Sequence, residues 1–279
     1  MFNNPSKVLA HSSAVATGNF VTAEYILNGD NSSRVNLFHR FCPHRMYPLA
    51  QPGQHTGEIV CKFHGFKWTD SGDPINNDRK IGCGNATVGR SGLVFKDFVE
   101  PAHKWVDILA GETGLVYSHS MSGASATGSW LWMMDIQADL LHIWNDGIHP
   151  TLAAATNLDD VIMDQGNGWA LQYCSTGFWL VLYPFTFIEW SPGCLAINVA
   201  TPNDSKHEFG FSWITQFYYD PSTSPDKRAD FETLEDVFKE DVEAVETQRG
   251  GYYPLMKSIN RLEDHCVHFG KWVTENRSV

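Results

Sequence analysis

Two cysteine–histidine pairs near the N-terminus could bind a metal centre. One residue separates Cys42 from His44, two residues separate Cys61 from His64, and 16 residues lie between the pairs. Two thiolates and two neutral imidazoles can hold a [2Fe–2S] cluster, with the sulfurs on one iron and the nitrogens on the other. A structural zinc ion would accept the same atoms, although this spacing departs from the usual zinc-ligand separations. The pattern favours the cluster and therefore one-electron transfer.

The residues around these ligands narrow the choice. Pro43 and Gly65 fit two tight loops that meet over a cluster, since proline and glycine favour turns. The stretch HGFKW at 64–68 closely resembles the second ligand loop of Rieske proteins. Respiratory-chain Rieske proteins carry an additional cysteine in each loop, joined as a disulfide, whereas FCPHRM and CKFHGF contain no second cysteine. The resemblance is therefore to Rieske ferredoxins and to the terminal components of Rieske non-heme iron oxygenases.

Length and composition indicate a second domain and exclude two kinds of partner. Typical domains run to about 100–150 residues, so a chain of 279 residues has room for a domain after the cluster domain. A hydrophobic content of 43% with 19% charged residues is typical of a folded protein with a sizeable core. The net charge of −12 argues against binding to nucleic acid or to an anionic membrane, because either needs a basic face.

The remaining cysteines and the N-terminal sequence indicate a compartment. The four cysteines outside the pairs are scattered, without the spacing of a secreted disulfide framework, and are Cys83, Cys174, Cys194 and Cys266. The N-terminus has no basic start followed by an apolar run, so no secretory signal is visible. No run of about 18 apolar residues occurs either. We expect a soluble protein in the reducing cytoplasm.

The order of strand-like and helix-like segments predicts the fold class. Short strand-like segments separated by polar turns predict an all-β Rieske domain over 1–118. The small, polar, glycine-containing stretch 118–129 is the best candidate for a linker. Strand-like segments within 170–219 then precede an amphipathic helix over 226–250, which is typical of an α+β domain. We predict an α+β protein whose catalytic domain, 119–279, has an antiparallel sheet of the helix-grip type.

A second group of possible metal ligands lies just after the predicted linker. Asp139 and His142 are three residues apart and would share one face of a helix. His142 and His149 would be ~10.5 Å apart on an unbroken helix, whereas two imidazoles on one ion need nitrogens within roughly 4 Å. The helix must therefore break, and the triplet 145–147, Asn-Asp-Gly, offers the break. Asp146 is the alternative to His149 as a ligand, although such a triplet is more often a plain turn.

The candidate for a third ligand is an aspartate on the last predicted helix. Asp241 lies within the apolar stripe of that helix, four residues from both Val237 and Val245. A buried carboxylate is costly unless it is paired or binds a metal. Two histidines and one carboxylate bind mononuclear iron and leave open positions on one face of the metal. A salt bridge or a hydrogen-bonded core acid is the alternative for Asp241.

Here the resemblance to Rieske non-heme iron oxygenases becomes specific. Those enzymes carry an acid, two residues, a histidine, commonly four residues and a second histidine that binds mononuclear iron. Asp139 and His142 match this pattern, while His149 arrives two positions later. The stretch 240–250 looks like the C-terminal helix of the glycine-betaine and carnitine type, in which the residue matching Asp241 is the third iron ligand. The resemblance implies iron held by His142, His149 and Asp241.

The resemblance also implies an activity. An NAD(P)H-dependent reductase or a ferredoxin would deliver electrons to the [2Fe–2S] cluster, and these would pass to mononuclear Fe(II), which activates O2 to hydroxylate or demethylate a small organic substrate. Asp139 would bridge a cluster histidine and His142 across a subunit boundary in a homotrimer, and it could also accept the ring N–H of His142. Both monooxygenase and dioxygenase outcomes are compatible with this pattern. The alternative function is electron transfer, with a second domain that only binds a partner.

Two further patterns carry less weight. His265, Cys266 and His268 match no metal site by their spacing, and we expect a surface helix there. Seven tryptophans lie between residues 130 and 213. They fit a core, an apolar pocket or an aromatic cage for a quaternary ammonium ion.

Overall fold

The structure is a computed structural model. It describes residues 7–16, 18–22, 24–29, 34–55, 58–69, 71–91, 93–96, 103–112, 114–144, 148–149, 158–203, 207–248 and 250–276.

The described part of the N-terminal half is a small β structure. Its elements are β1 (Lys7–His11), α1 (Ser12–Val15), β2 (Asn19–Val21), β3 (Tyr25–Gly29), β4 (Arg34–His39), β5 (Gly53–His55), β6 (Ile59–Val60), β7 (Lys67–Trp68), β8 (Gly82–Val88), β9 (Leu93–Lys96) and α2 (His103–Gly111). Seven strands form an antiparallel sheet in the order β1-β9-β8-β4-β3-β2-β5, and β6 pairs only with β7. The β6–β7 pair forms a separate β-hairpin, and the loop between these two strands contains Cys61 and His64.

The described part of the C-terminal half is one large antiparallel sheet with helices. Its strands are β10 (Val116–Ser129), β11 (Ile162–Gly166), β12 (Trp169–Cys174), β13 (Gly177–Leu182), β14 (Thr186–Ser191), β15 (Cys194–Pro202) and β16 (Phe209–Tyr219), in the order β10-β16-β15-β14-β13-β12-β11. Its helices are α3 (Trp130–Ala138), α4 (Leu141–Trp144), α5 (Pro225–Glu232), α6 (Leu234–Thr247) and α7 (Asp264–Asn276). Within these ranges no helix is long and apolar enough to cross a membrane.

The two faces of the large sheet have different neighbours. Successive side chains of a strand point to opposite faces, so Leu171 and Leu180 lie on one face while Gln172 and Trp179 lie on the other. The leucines belong to a core shared with residues of the small sheet, such as Val8. The opposite face packs against α3, α6 and α7 in a second core. This second, helix-covered face is where the candidate metal ligands meet.

The expected linker at 118–129 was wrong. These residues belong to the 14-residue strand β10, which pairs along its length with β16. The small side chains are needed for packing, because a Cβ on Gly123 would lie 2.2 Å from the ring of Trp213, and one on Gly128 would lie 3.3 Å from Val245 of α6. The predicted boundary between 118 and 119 falls inside this strand, so the division into two domains stays a prediction.

The amphipathic helix expected over 226–250 is two helices. They are α5 and α6, which meet at Thr233, where the side-chain hydroxyl donates to the carbonyl of Asp230 at 2.7 Å. This bond satisfies a carbonyl at the end of α5, as a helix terminus requires. The predicted apolar stripe is present on α6, where Asp241 is buried together with Val242 and Val245.

A buried acid on α3 gives a testable pH dependence. Asp135 is 8% exposed, and its carboxylate accepts a hydrogen bond from the hydroxyl of Tyr252 at 2.9 Å. Burial raises the pKa of Asp135 to about 7. The folded chain therefore keeps a proton that the unfolded chain loses near its ordinary pKa of 3.8, and stability falls as pH rises towards 7.

Asp135→Asn should remove this dependence while keeping an oxygen that accepts from Tyr252. Between pH 5 and pH 8 the wild type should lose about 2–3 kcal/mol of unfolding free energy relative to the variant. Denaturant unfolding of both proteins at the two pH values measures the difference. Asp226→Asn, at an exposed acid of α5, controls for the general effect of removing one negative charge. A difference between the wild type and Asp135→Asn that is the same at both pH values would contradict the assignment.

Candidate cluster and metal sites

The two cysteine–histidine loops have the same backbone construction. The amide of Cys42 donates to the carbonyl of Tyr47, and the amide of Met46 donates to the carbonyl of Cys42, both at 2.8 Å. In the second loop the amide of Cys61 donates to Phe66, and that of Gly65 donates to Cys61, again at 2.8 Å. The fourth residue after each cysteine has a positive φ, 53° at Met46 and 73° at Gly65. Each loop therefore turns tightly and returns its histidine towards the same point.

The four side chains of these loops suit a [2Fe–2S] cluster. Cys42 and Cys61 are each 1% exposed, whereas His44 and His64 are exposed. The two Nδ1 atoms lie 3.0 Å apart, which is the separation of two nitrogens at about 2.1 Å from one metal at a right angle. Burial raises the pKa of the Cys42 thiol, so a thiolate there needs a positive partner such as iron.

The rim of this site is exposed and aromatic. Tyr47 and Phe63 stack with ring centroids 5.5 Å apart, and they are 37% and 54% exposed. Next to them Met46 is 68% exposed. The imidazole side of the site therefore lies at the surface of the chain, where another protein can approach it.

The second group of candidate ligands is positioned by the end of α3 and the start of α4. Asp139 follows α3 with an extended backbone, and its Oδ1 accepts from the amide of Leu141 at 2.7 Å and from that of His142 at 3.4 Å. This is the usual capping arrangement for the exposed amides of a helix start. The cap fixes where α4 begins and so where His142 points.

The structure brings the three predicted ligands of the mononuclear site together. One ligand atom from each of His142, His149 and Asp241 lies within 4.8 Å of the others. The Nε2 atoms of the two imidazoles are 3.4 Å and 2.8 Å from the same oxygen, Oδ1 of Asp241. His149 is fully buried and Asp241 is 4% exposed. Asp146, the alternative ligand, lies outside the described residues.

This donor set fits a divalent iron ion. Two imidazole nitrogens and one carboxylate oxygen are the ligands of mononuclear non-heme iron. The Nδ1 atom of His142 is buried without a hydrogen-bond partner among the described residues and is 3.8 Å from Oδ2 of Asp139. A proton on Nδ1 would leave the lone pair of Nε2 free for a metal, with Asp139 as its neighbour.

Charge at the site also favours a cation. Burial opposes ionisation of Asp241, yet hydrogen bonds with His142 and His149 hold its pKa below the ordinary value. Burial likewise disfavours protonated His149, but hydrogen bonds and charge from Asp241 and Glu240 raise its pKa. Two carboxylates thus surround the imidazole of His149. A proton or a metal ion must balance them, because buried unpaired charge is strongly disfavoured.

A small cavity adjoins the ligands. Its volume is about 40 Å³, enough for about three water molecules. His142 and Asp241 form one side, and its apolar wall includes Ile136, Leu140, Ile143, Trp179, Phe187 and Val237. A ligand with a handful of non-hydrogen atoms would lie against the candidate metal ligands His142 and Asp241.

The N-terminal half can now be identified by comparison. The profile of the Rieske [2Fe–2S] domain family matches residues 6–83. The chain contains a Rieske domain. Chloroplastic choline monooxygenase from Arabidopsis thaliana is 26% identical over 77 residues, which make up 28% of this chain and 18% of that enzyme. The match therefore spans less than a third of this chain and less than a fifth of the relative.

Solved Rieske oxygenases share the fold over almost the whole chain. A quaternary ammonium Rieske monooxygenase, described for carnitine oxidation by gut microbiota and inter-subunit electron transfer, aligns over 97% of this chain and 88% of its own, with a TM-score of 0.72 and 16% identity. A mutant of NdmA from Pseudomonas putida CBB5, with caffeine, aligns over 98% and 90%, with a TM-score of 0.54 and 16% identity. The predicted α+β fold with antiparallel sheets is confirmed, and the chain shares this fold with these solved structures.

Two residues that contact the candidate ligands were not predicted from the sequence. Oε2 of Glu240 lies 2.7 Å from Nδ1 of His149. Gln137 donates from Nε2 to Oδ2 of Asp241 at 2.7 Å. These contacts join residues 91 and 104 positions apart, so nothing local in the sequence points to either residue.

Glu240→Ala should weaken metal binding at the mononuclear site by about 10–100-fold, because the ring of His149 would lose the acceptor that fixes its orientation and tautomer. Calorimetric titration of Fe(II) into the chain with its Rieske cluster intact but its mononuclear site emptied measures this. Glu240→Gln retains an acceptor oxygen and should lose less. Glu243, which is exposed on the same helix, provides the control, and equal losses in Glu243→Ala and Glu240→Ala would contradict the role of Glu240.

Proposed function

We propose that this chain is the terminal oxygenase of a Rieske non-heme iron system, oxidising a small organic substrate by hydroxylation or demethylation. The observation that carries the proposal is the convergence of His142, His149 and Asp241 beside a small cavity, in a chain that also holds a Rieske domain. The Rieske domain supplies electrons one at a time. The second site is where they would be used.

The residues of the site would have three different roles. His142, His149 and Asp241 would hold Fe(II), which when bound supplies the capacity to activate O2 with the electrons it receives. Gln137 keeps Oδ2 of Asp241 occupied, so that Oδ1 is the oxygen facing both imidazoles. The apolar wall of the cavity excludes water and orients the substrate against this face.

Electrons must reach the second site from outside the chain. We propose an NAD(P)H-dependent reductase or a ferredoxin as the donor, which would dock on the exposed rim around His44 and His64. The related monooxygenase is described with inter-subunit electron transfer, and the same rim could then meet the neighbouring copy in a homotrimer. Asp139, which touches both the start of α4 and the ring of His142, would bridge to the neighbour's cluster.

Iron content and oxygen consumption test this function. The purified chain should contain about three irons, two in the cluster and one at the second site. With a reductase and a panel of small amines and N-methylated compounds, at least one should stimulate O2 uptake and yield an oxidised or demethylated product. Two irons per chain and no O2 uptake with any compound would instead identify an electron-transfer protein with a non-catalytic second domain.

A further inference from the structure

Three residues form a row across the floor of the cavity. Gln172 on β12 pairs directly with Trp179 on β13, which pairs directly with Glu189 on β14. Directly paired residues point to the same face of a sheet, and all three line the cavity. Two polar side chains therefore flank an indole ring on the side of the cavity formed by the sheet.

Gln172 presents a free acceptor. Its Nε2 donates to the carbonyl of Ala138 at 2.9 Å and lies 3.2 Å from Nδ1 of His265. Burial lowers the pKa of His265 to about 4, so this imidazole is neutral and its Nδ1 accepts. The helix around His265 is present as expected, but the residue is 1% exposed and not at the surface. The two acceptors fix the amide orientation and leave Oε1 of Gln172 buried without a partner among the described residues.

Glu189 presents a second acceptor. It is 8% exposed, and its Oε2 accepts from Nδ2 of Asn198 at 3.0 Å. Asn198 in turn accepts from the hydroxyl of Thr215 at 2.6 Å, so the chain of bonds fixes the carboxyl group. In the described part of the chain no group is bonded to Oε1 of Glu189. Burial raises the pKa of Glu189 to about 8, and a cation beside Oε1 would lower that pKa and leave Oε1 as a carboxylate acceptor.

The buried oxygen of Gln172 requires a donor, because an unpaired buried oxygen is strongly disfavoured and nearly all such atoms in proteins are paired. Glu189 offers a second oxygen to the same cavity. A quaternary ammonium ion has no N–H and cannot satisfy either oxygen, although it can bind an indole face. A protonated secondary or tertiary amine can do both. Since relatives of this fold are described with ligands as different as carnitine and caffeine, residues of the pocket and not the fold must select the substrate.

We propose that the substrate of the site is a small protonated secondary or tertiary amine with a second hydrogen-bond donor, the N–H of the cation donating to Glu189 and the other donor to Gln172. This inference rests on the proposed function and deepens it. Trp179, between the two acceptors, would contact the methyl groups and the positive charge. Glu189 is then the residue that makes the site bind protonated amines more tightly than quaternary ammonium compounds.

A matched pair of ligands tests the proposal. N,N-dimethylethanolamine and choline share the hydroxyl and the carbon chain, but only the first has an N–H when it is a cation. Calorimetric titration of the anaerobic holoenzyme at pH 7 should show at least tenfold tighter binding of dimethylethanolamine. In Glu189→Gln, which retains an oxygen for Asn198, that preference should disappear. Glu243→Gln, on the exposed face of α6, should keep it.

Three outcomes would overturn the inference. They are equal or tighter binding of choline, failure of dimethylethanolamine to bind, and a preference that survives in Glu189→Gln. Iron content is measured on the same preparations. About three irons per chain without any preference would reject the substrate class alone, whereas two irons per chain would reject the oxygenase function itself.

Discussion

His149→Ala is expected to remove one iron per chain and to abolish substrate-dependent O2 uptake. His149 is fully buried, and its Nε2 lies 2.8 Å from Oδ1 of Asp241, so its truncation removes one of the three donor groups that meet at the site. The visible and EPR spectra of the Rieske cluster should be unchanged, because Cys42, His44, Cys61 and His64 belong to separate loops. Iron analysis together with EPR of the reduced cluster measures both expectations.

Asp146→Ala is the matched control for this experiment. Both residues follow α4 within a few positions, and the spacing of the histidines made Asp146 the alternative ligand. If His149 is the ligand, Asp146→Ala should retain about three irons and most of the turnover. Loss of the third iron in Asp146→Ala but not in His149→Ala would reverse the assignment. Loss of the cluster signal in His149→Ala would show that the two sites are not independent.

Asp139→Asn is expected to lower turnover by about 100-fold while both metal sites stay loaded. Asparagine keeps the oxygen that caps α4 by accepting from the amides of Leu141 and His142. It removes the charge that lies near Nδ1 of His142 and would carry the electron path to the neighbouring cluster. Stopped-flow reduction of the cluster, followed by its reoxidation with substrate and O2, separates the two steps. Reduction should be normal and reoxidation slow.

Asp139→Ala separates bridging from positioning. Alanine removes the cap as well as the charge, so the first turn of α4 should be less stable. His142 should then be less well positioned, and the third iron should be partly lost. If Asp139 only orients His142, the asparagine variant should also lose iron, and the turnover per bound iron should stay close to that of the wild type. Normal reoxidation in an iron-replete Asp139→Asn protein would rule out the bridge.

The sequence predicted the cluster site because its chemistry is local. Each cysteine and its histidine lie within one short loop, and the turn geometry depends on residues such as Gly65 that are visible in the sequence. Only the approach of the two loops to each other depends on the tertiary structure. The absence of a second cysteine in each loop was enough to separate two classes of Rieske protein.

Only part of the mononuclear site could be predicted from the sequence. Asp139 and His142 are three residues apart at the start of a helix, and helical periodicity predicts that Asp241 faces the core. The contact between His149 and Glu240 spans 91 positions and could not be read from spacing. Periodicity places a side chain on a face, but it does not tell which distant residue lies opposite.

Composition gave the wrong interpretation where packing required small residues. The stretch 118–129 has the residues of a linker, yet Gly123 and Gly128 are small because Trp213 and α6 pack against the strand. In the same way the expected surface histidine, His265, is a buried acceptor for Gln172. These errors share a cause, since residue type reports the size and polarity of a side chain and not the element that covers it.

The sequence by itself was enough to predict the α+β fold, the four candidate cluster ligands and the three candidate iron ligands. Tertiary structure alone decided that Glu240 and Gln137 hold those ligands, and that Gln172, Trp179 and Glu189 form one row beside them. The physical reason is distance along the chain. Turns and loop lengths set the register of β12, β13 and β14 and so place the row on one face of the sheet. Only tertiary packing places His142 and Asp241 against that face, so that they line the same cavity as the row.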